Sequence, residues 1–353
     1  MYFQGKLTID PSQLTHIEKV KPRKAFKRIL HYLTLGGVTE EQEVETFTAV
    51  SILQQLYMVF ATSKINNIVR LSHDTRDFYL DEAGLTHDLK AALDHYETRV
   101  NPKSVDRFDK LVMVLEHEDE TFKYLIEVYI NRTHEVGEYP IEIVVLGFFN
   151  DFAGEDLDQV QYKLSHKIGS QKSYDAFLKE KRVPFEVFVQ RLTQAIQEHI
   201  KVDDIQVEIQ RKILLSRSKV SAKDDIRYNK RKGNYGVNYG YYGFDDYILY
   251  AVSWIDNCQD YSIVVDDAYY ETMGGNDLGH MDTIDPSSQP LFDSSHSIFG
   301  NVSDFPNDTT SRDGGSWFNF DSFGDYSSGG SSCSSGSSCS ACSSCSSCSS
   351  CSS

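Results

Sequence analysis

From Met1 to Ser332 the chain contains one cysteine, Cys258. A body so poor in thiols is not a disulfide-stapled scaffold, and it carries no Cys-rich zinc ribbon. Basic residues are missing from the other half. After Lys232 only Arg312 remains, against sixteen acidic residues, so that stretch holds −15 of the net charge of −17. The first 232 residues are close to neutral, with 34 basic and 36 acidic. Phosphate binding draws on clustered Lys and Arg, so nucleic acid is not expected as a partner. Long apolar runs are absent as well. The nearest, Thr46 to Ser63, is interrupted by Gln54 and Gln55 and falls short of the ~20 apolar residues that span a bilayer. No transmembrane segment is therefore expected. Catalytic signatures are also missing: there is no G-x-S-x-G, no G-x-x-x-x-G-K-[ST], no dinucleotide fingerprint and no H-E-x-x-H. No secretory signal opens the chain, and the expected compartment is the cytoplasm.

What is present divides into a body and a long appendage. The opening MYFQG resembles the scar of a cleavable purification tag, so residues 1–9 read as tag or leader outside the fold. Residues 10–215 read as a globular α+β body with helices packed on a small antiparallel meander sheet. Its N-terminal part holds a basic cluster, Lys19 to Arg28, which reads as a solvated helix face or an internal partner for the acidic arm. Thr39-Glu-Glu-Gln42 has the capping-box pattern of a helix start. The helix after it carries Val50, Leu53, Tyr57 and Phe60 on one stripe, widened by Phe47, Ile52 and Leu56. A second amphipathic stretch runs from Thr86 to Val100, and its His87 and His95 read as ordinary surface or core histidines.

The apolar period then shortens from helical to strand-like. Lys110 to Leu115, Phe122 to Ile130 and Tyr139 to Phe149 are linked closely enough to form the meander. Leu157, Val160, Leu164 and Ile168 mark a helix whose first turn gathers carboxylates, which favour the macrodipole. Pro184 suits the first turn of another helix, with Phe185, Phe188, Leu192, Ile196 and Ile200 as its buried stripe. Ile205, Val207 and Ile209 alternate as a strand.

Residues 216–244 read as a basic stretch followed by a Gly/Tyr linker, and 245–272 as a β-hairpin. A lone hairpin is marginal in water, so this one is expected to dock on the body, on a partner or on another copy. Residues 273–332 have the low hydrophobicity and negative charge of a disordered acidic arm.

The tip, residues 333–353, concentrates the chemistry. Six of the seven cysteines sit there: Cys333, Cys339, Cys342, Cys345, Cys348 and Cys351. From Cys339 onward they stand in overlapping C-x-x-C pairs, the spacing that offers two thiolates of one loop to a metal. Soft thiolates select zinc or Cu(I), so these six are the expected metal ligands. The segment Gly329 to Ser353 also resembles the Ser/Gly/Cys-rich C-termini of assorted bacterial proteins. It is similar, too, to the heterocyclisable cores of thiazole/oxazole-modified peptide precursors, and that resemblance implies a covalently modified tail.

The leading expectation is a non-enzymatic binding or assembly protein, docking to a protein partner or to itself. Its tip binds a soft metal, cross-links or is modified. One alternative is a substrate protein whose Ser/Cys tail is heterocyclised or lipidated. The other is a hydrolase-like enzyme using the carboxylates Asp151 and Glu155. Cys258 is expected in a turn, as an incidental thiol.

Overall fold

The structure is a computed structural model that describes residues 1–10, 26–27, 29–30, 33, 40–74, 76–96, 108–133, 138–154, 156–215, 241–272 and 277–285. In β4 (Lys110–Glu118), β5 (Phe122–Asn131) and β6 (Ile141–Phe149), β-branched and aromatic residues recur with period two, sending successive side chains to opposite faces. The three strands pair antiparallel as the expected meander, with Leu111 opposite Ile130 and Ile126 opposite Val145. The Asp119 carboxylate closes the first turn by accepting from the amides of Thr121 at 2.7 Å and Phe122 at 2.8 Å.

The α+β class holds, but the small meander sheet does not. The meander is the middle of a wider sheet that also contains β1 (Tyr2–Asp10), β2 (Asn67–His73), β3 (Arg76–Leu80), β7 (Asp204–Leu215), β8 (Val265–Thr272) and β9 (Asp277–Ile284). The nine strands lie in the order β3-β2-β4-β5-β6-β1-β7-β8-β9. The β7–β8 pair is parallel, and the other neighbours are antiparallel.

Residues 1–9 do not stand outside the fold. All but Met1 belong to β1, an interior strand paired with β6 on one side and β7 on the other. Phe3, Leu7 and Ile9 are buried while Gln4, Lys6 and Thr8 alternate with them at intermediate exposure, the pattern of a sheet with one sealed face. Met1 is buried, and its amino group donates to the Ala251 carbonyl at 3.2 Å.

Two long helices cover the sealed face. The first, α1 (Glu40–Thr62), presents the expected stripe, with Val50, Leu53, Leu56 and Phe60 buried; Thr39, its expected cap, lies outside the described residues, as do Lys19 to Lys24 of the basic cluster. The short α2 (Leu89–Tyr96) buries Leu89 and Leu93. Next, α3 (Leu157–Lys167) starts where its carboxylates stand, the Asp156 side chain accepting from the Gln159 amide at 2.9 Å.

The second long helix, α4 (Gln171–His199), begins earlier than expected, at a capping box in which Ser170 and Ser173 exchange hydrogen bonds. Pro184 lies inside this helix and not in its first turn. An interior proline costs about 3 kcal/mol. Burial of Phe185, Val189, Leu192 and Ile196 offsets that, at about 1.5–3 kcal/mol for each large apolar side chain.

Two strand glycines make room for α4. A Cβ on Gly147 would meet the Phe185 ring at 2.6 Å, and one on Gly5 would meet Val189 at 2.8 Å. Bare backbone at these positions lets the helix settle onto the sheet. Phe185 then enters an aromatic cluster, its ring centroid 5.4 Å from that of Phe3 and 5.7 Å from that of Phe122.

Residues 245–272 do dock on the body, but not as a hairpin. They form a helix, α5 (Asp245–Asp260), followed by β8. Ile248, Ala251, Val252, Ile255 and Cys258 recur at helical spacing and are all buried. Strand β8 runs parallel to β7, Lys212 opposite Tyr269. Parallel neighbours need a crossover, which α5 supplies and a hairpin cannot. Trp254 anchors the helix, its ring centroid 5.9 Å from that of Phe149 and 5.7 Å from that of Phe152. Residues 277–284 of the expected disordered arm are β9, antiparallel to β8. Apart from Asp285, the rest of that arm, the 216–240 linker and the tip lie outside the described residues.

Candidate functional site

The six expected metal ligands, Cys333, Cys339, Cys342, Cys345, Cys348 and Cys351, lie outside the described residues, as does Glu155. Among the described residues, no group of three or more His, Cys, Asp or Glu is placed to hold a metal ion. Of the expected histidine pair, His87 shares a hydrogen bond of 2.8 Å with the Tyr79 hydroxyl, and the His95 side chain is not described.

Cys258 lies on the core side of α5 and not in a turn. Burial pushes its thiol up to about 12, with the nearby Met1 amino group pulling the other way. The nucleophile and the metal ligand are both the thiolate, so burial with a raised pKa disfavours either role for Cys258.

Asp151 is held by two cations. It pairs with Lys167 and, at 2.6 Å, with Lys181, whose side chain is 9% exposed. Partial burial would raise its pKa, but the hydrogen bonds and charges of Lys167 and Lys181 outweigh that and lower it. A carboxylate kept ionised between two lysines ties loop to helix and is a poor proton donor. Near the end of β4, His117 stacks on Phe188 with centroids 5.7 Å apart and on Tyr124 at 5.9 Å. Burial lowers its pKa, against Asp119 and Glu118. Asp119 itself accepts from the Tyr124 hydroxyl at 3.0 Å. These groups are occupied in joining the β4–β5 turn to α4.

A different cluster stands out on the second face of the sheet. Alternation along β5 sends Lys123, Leu125, Glu127 and Tyr129 to the side opposite Tyr124 and Ile126. Glu127 is 1% exposed. Its Oε2 accepts from the Tyr129 hydroxyl at 2.7 Å, while its buried Oε1 has no hydrogen-bond partner among the described residues. Burial raises its pKa well above the usual carboxylate range, and the Tyr129 hydrogen bond and the Arg70 charge draw it only part of the way back. Burial and Glu127 together raise Tyr129 in turn.

Two strands away, Arg70 of β2 pairs through Nε with Asp77 of β3 at 2.6 Å and hydrogen-bonds Tyr241. Tyr241 is 2% exposed and belongs to the segment that leads into α5. The same segment sets Phe244 against Phe148, centroids 5.8 Å apart, and below the Lys123 ammonium at 5.2 Å. Glu127, Tyr129 and Tyr241 are thus buried together where the appendage crosses the sheet, with the half-buried Arg70 joining them to the exposed Asp77. The sequence carried a signal for part of it, since Glu127 is a carboxylate set between Leu125 and Tyr129 on one strand face. Nothing in it pointed to Arg70 or Tyr241, which come from 57 residues before and 114 residues after Glu127. Compared with protein-family models, with curated proteins and with solved structures, the chain matches none.

Proposed function

We propose that the chain is a non-enzymatic binding and assembly protein that carries its chemistry in the C-terminal thiols, which bind a soft metal ion such as Zn²⁺ or Cu(I). The observation that supports this reading most is the partition of cysteine. The body's one thiol is sealed in the core with its pKa raised to about 12, and the other six stand within the last 21 residues. Every accessible thiol therefore belongs to the tip. The ion-paired state of Asp151 disfavours the hydrolase alternative. Among the described residues no helix is long and apolar enough to cross a membrane. A reducing compartment such as the cytoplasm keeps the thiols available, whereas an oxidising one would drive them into disulfides, including between chains. In this reading the body docks to a protein partner or a second copy.

The test is a titration of the reduced full chain with Zn²⁺ or Cu(I), beside a variant with Cys333, Cys339, Cys342, Cys345, Cys348 and Cys351 changed to Ser. The wild type should take up metal with release of protons, and uptake should weaken as pH falls, because ligation needs deprotonated sulfur. Equal uptake by the two proteins overturns the metal reading. The Ser/Cys composition of the tip favours a second reading, a modified substrate. Intact mass separates the two: one water lost per ring marks heterocyclisation, and an unchanged mass leaves the thiols free for metal.

A further inference from the structure

The Glu127 cluster holds a carboxyl group that the described fold satisfies only in part. One oxygen takes the Tyr129 hydroxyl and the other, equally buried, has no hydrogen-bond partner. Across the sheet, Arg70 divides its guanidinium between Asp77 and Tyr241. Tyr241 and Phe244 strap the start of the C-terminal unit, α5 with β8 and β9, to this face. An ionised carboxylate in such a site calls for a cation or for water. The charged and titratable groups that face it come from each neighbouring element. They are Arg70 on β2, Asp77 on β3, Tyr129 on β5, Glu142 on β6 with its partner Lys6 on β1 at 2.8 Å, and Tyr241 on the strap. From β4 the register brings Val114 opposite Glu127 and Val112 opposite Tyr129, and Lys110 stands over the Tyr129 ring at 5.5 Å. Lys6 already serves Glu142 and Lys110 faces the Tyr129 ring, so the cation that acts on Glu127 is Arg70, the same group that holds the strap.

We propose that Glu127 is a protonation-controlled latch. Neutral, it leaves Arg70 bound to Tyr241 and the strap closed. Ionised, it draws Arg70 or water and releases the strap from the sheet. The direction in pH follows from the raised Glu127 pKa. Where the unfolded or opened chain is already ionised and the closed form is not, closing must take up a proton. The closed form therefore carries no penalty below the ordinary carboxylate range and loses stability as pH climbs toward the raised value. This latch goes beyond the thiol chemistry of the tip, because it sets when the unit leading to the tip is held on the body.

Amide hydrogen exchange of the full-length protein tests it, following peptides over residues 241–247 between about pH 5 and about pH 9, the range in which buried carboxyls titrate. After correction for intrinsic exchange, the wild-type segment should lose protection with rising pH, by up to about tenfold per pH unit between the ordinary carboxylate range and the raised value, and level off above it. The β4–β6 peptides should stay constant. In Glu127→Gln, which cannot ionise, the segment should hold its protection throughout. The same pH dependence in both proteins overturns the latch. So does a wild-type segment whose protection tracks the meander at every pH, a comparison that stands even where the variant fails to fold.

Discussion

On one face of the sheet Phe3, Phe122, Ile143, Val145 and Phe149 lie beneath α1 and α4. On the other, the same strands carry Lys6, Lys123, Glu127, Tyr129 and Glu142. The first face is close-packed, down to two glycines whose missing side chains admit Phe185 and Val189. The second keeps its charges in pairs, Lys6 with Glu142 and Lys123 with Glu116, and buries Glu127 beside the strap that carries Tyr241 and Phe244. Strand alternation generates both faces from one sequence, and the difference separates their tasks. Apolar packing holds the body together, while the paired charges, each adding little, are free to respond to conditions.

The comparison can be broken at either face. The largest effect is expected from Phe185→Ala, which empties the slot between Gly5, Gly147 and Phe122. Chemical denaturation should show a loss of about 3–5 kcal/mol. A loss below ~1 kcal/mol would mean that α4 is not seated as described. The smallest is expected from Lys6→Ala on the second face, where the Lys6–Glu142 pair is more than a third exposed on both sides. The same measurement should move by no more than ~1 kcal/mol, the usual worth of an exposed ion pair. A larger loss would give the second face a structural role that its exposure does not suggest.

How far the sequence disclosed this arrangement depended on how local each signal was. The β4–β6 meander was legible because short turns join strands of clear alternation. The start of α3 was legible because its cap, Asp156, sits beside the helix it serves. Strand β1 was not, since MYFQG is short and its partners, Val145 and Ile209 among them, lie far along the chain. Helix α5 was misread because Tyr247, Ile248, Tyr250, Val252, Trp254 and Ile255 favour strands by propensity. Their spacing of three and four, and the crossover that the parallel β7–β8 pair requires, decide for helix. Pro184 misled for a related reason: proline favours a first turn, but the packing of Phe185 and Val189 carries α4 through it. Of the candidate chemistry, the thiol-rich tip was visible at once, whereas the Glu127 cluster needed the register of four strands and the strap to assemble.

The central claim is that the body's own thiol is silent and that all accessible thiol chemistry belongs to the tip. Counting thiols in fully reduced, natively folded protein with an aromatic disulfide reagent tests it most directly. Six of the seven cysteines should react at once and the seventh only after denaturant is added, with peptide mapping assigning the late one to Cys258, buried and raised to about 12. Prompt reaction of Cys258 in the folded protein would contradict the account.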